Sequence, residues 1–165
     1  MKELERLYKE IHPKVYAFFF VKTFDKTAAE DLTHDVFYEA VKGLHYFEGH
    51  STLQTWLFSI AKNVLKKYYR SKKYRLRLEK QLAESPSPPS ASPEEVYLLK
   101  EGTWDLAKRI GRLDDLSREI VILRVYGELS FKEIGDVVGQ SENYARVAFH
   151  RSKLKLQKET RAEDE

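Results

Sequence analysis

Between Arg146 and Lys158 the chain carries Arg146, His150, Arg151, Lys153, Lys155 and Lys158, and no acidic residue follows until Glu159. Guanidinium, ammonium and imidazole groups at helical spacing suit phosphates and base edges rather than bond-breaking chemistry. A second cationic run lies upstream, where Lys62, Lys66, Lys67, Arg70, Lys72, Lys73, Arg75, Arg77 and Lys80 meet the single acid Glu79. Groups fit for catalysis are sparse. Asp31 and Asp35 share a helical face, but no nucleophile accompanies them, so an exposed docking surface is the better reading. His45, Glu48 and His50 sit in one short loop without further ligands, which argues against a metal site. No catalytic residue, metal, cofactor or small-molecule substrate is expected, and the chain does not read as an enzyme.

The elements that must hold these cations are legible from caps and spacing. Ser130 followed three residues later by Glu133 is a capping box and starts a short helix. Phe131, Ile134, Val137 and Val138 give that helix one apolar side, and Gly139 can take the left-handed turn after it. Ser141 then offers a hydroxyl cap for the basic helix. Two helices joined by a tight turn, the second one basic, form the arrangement that lays a helix in the major groove. By spacing, Val147 and Leu154 pack inward while Arg146 and Arg151 face outward.

Composition divides the chain. Ser85 to Pro93 holds four of the five prolines and cannot continue a helix. In extended form at about 3.1 Å per residue it spans roughly 28 Å, enough to set two modules on separate turns of DNA. The expected organisation is all-α, with a helical domain over 1–78, a Pro/Ser-rich linker over 79–93, a helix-turn-helix domain over 94–160 and a disordered tail over 161–165. The net charge of +3 is modest, so its uneven distribution is the informative part. The absence of cysteine excludes disulfides and cysteine-ligated zinc. The longest apolar run, Val15 to Val21, is too short to span a bilayer, and the first residues lack a secretory apolar segment. A cytoplasmic protein is expected.

In the first module, Leu4, Leu7, Ile11, Val15 and Phe18 recur at spacings of three and four, with Pro13 interrupting or bending the helix. Thr27 with Glu30 reads as a capping box for a second helix ending near Gly43. Ser51 or Thr52 opens a third, in which Trp56 shares the apolar spacing of Ile60 and Val64 and reads as core. The loop from Phe47 to Thr52 combines an aromatic ring with small polar residues ahead of a basic helix, a combination suited to an unstacked base. Tyr68 and Tyr69 beside Arg70 are either stacking platforms or ordinary surface rings.

These residues resemble the extracytoplasmic-function group of sigma-70-type bacterial sigma factors. Ala29-Glu-Asp-Leu-Thr-His-Asp-Val-Phe37 is similar to the family's region 2.2 helix, and Phe47 to Leu57 with Ile60-Ala-Lys-Asn63 and Arg70 is similar to its F-x-G-x-S-x-x-x-T-W-L-x-x-I-A-x-N segment. Leu113 to Leu123, Leu129 to Gly135 and Arg151-Ser-Lys153 resemble region 4. The resemblance implies that Asp31, Leu32, His34, Asp35 and Phe37 dock on core RNA polymerase. It implies that Phe47, His50, Ser51, Thr52, Asn63, Lys66, Lys67 and Arg70 capture the opened −10 element. Ser141, Asn143, Tyr144, Arg146, Val147, His150, Arg151 and Lys153 would then read the −35 element. It also implies an anti-sigma factor, often in the membrane, that clamps between the modules.

Three departures matter. Lys67 stands where the family commonly has an acid, so a local Asp–Arg pair is replaced by cations suited to phosphate. His34 replaces a Gln, and Asn143-Tyr144 replaces a Gly-Thr pair at the head of the recognition helix, which bears on the −35 sequence. The alternative reading is a stand-alone helix-turn-helix regulator whose first module dimerises or senses a ligand. A dimer on a palindrome would favour the regulator, and a monomer needing polymerase for tight binding the sigma factor.

Overall fold

The computed structural model describes residues 2–82 and 101–164, so most of the expected Pro/Ser linker lies outside the described residues. Among the described residues the secondary structure is helical: α1 (Lys2–Thr23), α2 (Lys26–Gly43), a 3-10 turn (Leu44–Tyr46), α3 (Leu53–Leu82), α4 (Glu101–Ile110), α5 (Asp115–Val125), α6 (Phe131–Val138) and α7 (Glu142–Asp164). Helices α1 to α3 form one bundle, and α4 to α7 the other.

Local chemistry accounts for most boundaries. The Ser130 hydroxyl accepts from the Glu133 backbone N–H at 3.2 Å, and Glu133 Oε1 accepts from the Ser130 N–H at 3.2 Å, completing the reciprocal cap of α6. Gly139 ends α6 at φ 76°, the left-handed position that favours glycine, and the Ser141 hydroxyl accepts from the Tyr144 N–H at 3.0 Å to start α7. Thr52 opens α3, its hydroxyl accepting from the Thr55 N–H at 3.1 Å.

Four expectations need correction. Asp25, not Thr27, caps α2: its carboxylate accepts from the Ala28 N–H at 3.1 Å, because the extended backbone that a cap needs falls at Asp25. Of the two effects expected of Pro13, interruption is excluded, since it lies within a continuous α1. Helix α3 continues past residue 78 to Leu82. Helix α7 runs to Asp164 where a disordered tail was expected, its last turns tied by a hydrogen bond from Arg109 to the Thr160 hydroxyl, while Leu156 packs on the core.

The two bundles share one core instead of standing apart. Phe18, Phe19 and Phe58 are fully buried in the first, as are Ile110, Ile120, Leu123 and Ile134 in the second. Phe58 meets Phe18 edge-on at 5.7 Å and also reaches Gly127 of the other bundle, where an added Cβ would lie 3.2 Å from the Phe58 ring and 2.7 Å from the Leu123 carbonyl oxygen. Glycine is therefore required at 127 for this approach. Polar contacts surround the seam. Lys22 pairs with Glu119 with both side chains mostly buried, Lys14 reaches Glu128 at 3.0 Å, and the Gln54 amide donates to the Gly127 carbonyl at 2.9 Å.

Candidate nucleic-acid interface

Helix α7 buries Ala145 and Ser152 and half-buries Ala148, Phe149, Leu156 and Glu159. The opposite side presents Asn143, Val147, His150 and Leu154 at spacings of four, three and four, with Arg146 and Lys153 on one flank and Tyr144 and Arg151 on the other. Val147 and Leu154 are 39% and 60% exposed, which corrects the inward placement read from their spacing. Ala145 and Ser152 take the inward positions of α7 instead. An exposed valine and leucine can meet thymine methyl groups.

Around Phe131, at the head of α6, two guanidinium groups and an imidazole converge. The Arg124 guanidinium lies 4.3 Å from the Phe131 ring centre and donates to the Leu129 carbonyl at 2.9 Å, Arg146 approaches the same ring at 5.7 Å, and His150 lies 6.1 Å away. Arg146 also pairs with Glu142 at 3.1 Å, one helical turn back, which holds the guanidinium on the outer face. Sequence reading passed over Arg124. Its place in a separate helix left no periodic link to α7, and only the fold brings it beside Arg146.

In the first bundle, Asn63, Lys66, Lys67 and Arg70 are all exposed on α3. Phe47 is half-buried against Trp56, with ring centres 5.1 Å apart, and Trp56 is likewise half-buried, not fully in the core. His50 places Nε2 2.9 Å from the Glu48 carboxylate, and Ser51 lies in the same loop beside Gly49, whose φ is 76°. Thr52 is engaged elsewhere. Its hydroxyl donates to Glu133 Oε2 at 2.7 Å, and Thr55 donates to the same oxygen at 3.0 Å. Lys62 donates to the Val137 carbonyl at 3.4 Å. Half-burial pushes the Glu133 carboxyl up, but hydrogen bonds from Thr52, from the Ser130 N–H and hydroxyl region, and from Thr55 outweigh it and hold the group below its ordinary value.

On α2, Asp31, His34 and Asp35 are exposed, but Leu32 is only 5% exposed and packs inward, so it cannot form part of a docking face. A helix needs an inward position at each turn, and Leu32 with Val36 supplies it. Phe37 is half-buried between Tyr8 and His12 of α1, at ring distances of 4.7 and 5.7 Å. The fold thus adds Tyr8 and His12 to this surface. Sequence spacing alone could not pair α1 with α2.

Two family descriptions match this chain in the order of its bundles: Sigma-70 region 2 over residues 7–75 and Sigma-70, region 4 over residues 104–156. The chain is 32% identical to RNA polymerase sigma factor YlaC of Bacillus subtilis, covering 94% of this chain and 90% of that protein. It is 31% identical to the ECF RNA polymerase sigma factor SigM of the same organism, covering 92% and 93%. This chain is a sigma-70-type sigma factor of the extracytoplasmic-function group. The sigma factor also shares its fold with RpoE of Bartonella quintana, solved with the anti-sigma factor NepR, at a TM-score of 0.72 and 22% identity over 96% of both chains. A second solved relative, CnrH in complex with the cytosolic domain of CnrY, gives a TM-score of 0.64 over 98% of this chain and 86% of that one. In these terms α1 to α3 belong to region 2, and α4 to α7 to region 4. No described helix of the sigma factor is long and apolar enough to cross a membrane.

Proposed function

We infer that this sigma factor binds core RNA polymerase in the cytoplasm and directs it to a class of promoters by reading −10 and −35 elements, acting through binding energy without being an enzyme. The observation that carries this reading is the pairing of two matched modules in family order, each with an exposed face of the right chemistry. Asp31, His34 and Asp35 with the Tyr8–His12–Phe37 ring cluster form the polymerase face. Phe47, His50, Ser51, Thr52, Asn63, Lys66, Lys67 and Arg70 serve the −10 element. Asn143, Tyr144, Arg146, Val147, His150, Arg151 and Lys153 serve the −35 element, with Ser141 fixing the start of their helix.

An anti-sigma factor is the second partner. An apolar groove of about 260 Å³ between α4, α5 and α7, lined by Leu106, Ile110, Val121, Val125, Phe149 and Leu156, suits an amphipathic partner helix. Occupying it would hold region 4 away from DNA.

Run-off transcription with purified core polymerase and fragmented genomic DNA, with and without the protein, tests the reading. New RNA 5′ ends sharing two spaced upstream elements are expected. No new starts, together with DNA binding that needs no polymerase, would instead identify a stand-alone regulator. Asp35→Arg reverses charge on the exposed face of α2 and is expected to reduce co-purification with core enzyme severely; unchanged co-purification would refute that face. Arg146→Ala removes a guanidinium beside the recognition face and should cost about 1–3 kcal/mol of discrimination at one −35 position. Equal transcription from intact and scrambled −35 elements by both proteins would overturn its role.

A further inference from the structure

Phe131 is the first residue of α6 and only half-buried. Packing against the Phe149 ring, with centres 5.6 Å apart, uses part of its surface and leaves the rest to other groups. Two of those groups belong to the proposed −35 reader. The Arg146 guanidinium lies 5.7 Å from the ring centre, within the range at which the negative face of an aromatic ring attracts a cation, and the His150 ring lies 6.1 Å away. Arg146 and His150 stand one helical turn apart on α7, so a single ring from the neighbouring helix meets two consecutive turns of the reading face.

The ring is itself braced. Arg124 of α5 sets its guanidinium 4.3 Å from the same ring centre and is fixed there by donating to the Leu129 carbonyl at 2.9 Å, in the segment that leads into α6. No carboxylate among the described residues pairs with Arg124, so ring and carbonyl are what hold it. Glu142 restrains Arg146 from one turn back along α7, at 3.1 Å. An exposed arginine loses the freedom of several rotatable bonds when it settles on a base edge, and that ordering opposes binding. Here an aromatic face and a carboxylate restrict the side chain before DNA arrives.

We propose that Phe131, braced by Arg124, is a positioning residue for −35 recognition: its ring holds the Arg146 guanidinium in the orientation that reaches a base edge, and so sets how strongly that base pair is preferred. The proposal rests on the sigma-factor reading and adds to it residues of α5 and α6, outside the helix that reads. Leucine would fill the apolar contact with Phe149 but has no negative ring face, so the role requires an aromatic residue at 131.

Full-length chains assembled with core polymerase test this on a promoter recovered by run-off mapping, with all four base pairs placed in turn at each position of its upstream element. Relative binding gives the preference at each position. Arg146→Ala is expected to flatten one position by about 5- to 150-fold. Phe131→Leu should weaken the preference at that same position by about two- to fivefold, the worth of one exposed cation–π contact, and Phe131→Tyr should restore it. Phe131→Leu combined with Arg146→Ala should match Arg146→Ala alone, because the ring acts only through the guanidinium. The salt dependence of binding should be the same in Phe131→Leu as in wild type, since no cation is lost. A general loosening of α6 against α7 would instead weaken every position of the upstream element alike, which would overturn the proposal, as would losses that add to those of Arg146→Ala. Equal preferences in wild type and Phe131→Leu, beside a clear loss in Arg146→Ala, strike the brace and leave the sigma-factor reading standing. A wild-type holoenzyme with no preference at any upstream position strikes that reading, and the brace falls with it.

Discussion

Phe58→Ala is expected to cost about 3–5 kcal/mol of folding stability and to do so in both halves of the molecule. Phe58 is fully buried, meets Phe18 of α1 edge-on, and abuts Gly127 of the second bundle, where an added Cβ would clash. Truncation therefore opens a cavity on the seam itself, and Gly127 has no side chain with which to fill it. The two tryptophans make the result readable, since Trp56 belongs to α3 and Trp104 to α4. Single-tryptophan variants unfolded in urea should each report an earlier midpoint for Phe58→Ala. A loss confined to the Trp56 signal would mean that the seam contributes nothing to region 4, and a loss under about 1 kcal/mol would mean that the site collapses around the gap.

The helix-turn-helix was legible in the sequence because its determinants are local. The Ser130–Glu133 box, the left-handed Gly139 and the Ser141 cap each depend on residues within one turn of themselves, and each occurs where expected. Region 2.2 was legible for a different reason, its resemblance to a family. What local pattern could not supply was the identity of inward positions where a helix meets two neighbours. Val147 and Leu154 have core-like side chains at core-like spacing, yet the small Ala145 and Ser152 take the inside. Leu32 failed in the opposite sense, as a buried position within a motif otherwise composed of exposed acids. The contact between modules was hidden altogether. Glu133 already had a complete role as half of a capping box, so nothing in its neighbourhood pointed to Thr52 and Thr55, far away in the chain.

That second role of Glu133 carries the other large effect. One carboxylate closes the cap of α6 through Oε1 and receives two threonine hydroxyls from α3 through Oε2. Glu133→Ala should remove both, at about 2–3 kcal/mol in total, since hydrogen bonds to a charged group contribute about 1.5–3 kcal/mol and some relaxation is available at this half-exposed site. Glu133→Gln keeps an acceptor for the cap and should cost less. The carboxyl is held below its ordinary value, so its contribution is complete above the unfolded-state value and is lost as pH falls through the lower folded-state one. Closure should therefore weaken on the acid side in the wild-type chain, and Glu133→Gln should lack that dependence. With no native cysteine, dyes at Glu48→Cys and Asp136→Cys report the separation of region 2 from region 4 directly. Wider separation in Glu133→Ala is expected, accompanied by tighter promoter binding by the holoenzyme, because Thr52 belongs to the proposed −10 reader and cannot serve DNA while it serves Glu133. Unchanged separation, or wider separation with weaker promoter binding, would show that the contact does not hold the readers together at the expense of DNA. The same carboxylate thus stabilises the helix-turn-helix and occupies the proposed −10 reader, and only the first of these roles survives when the modules part.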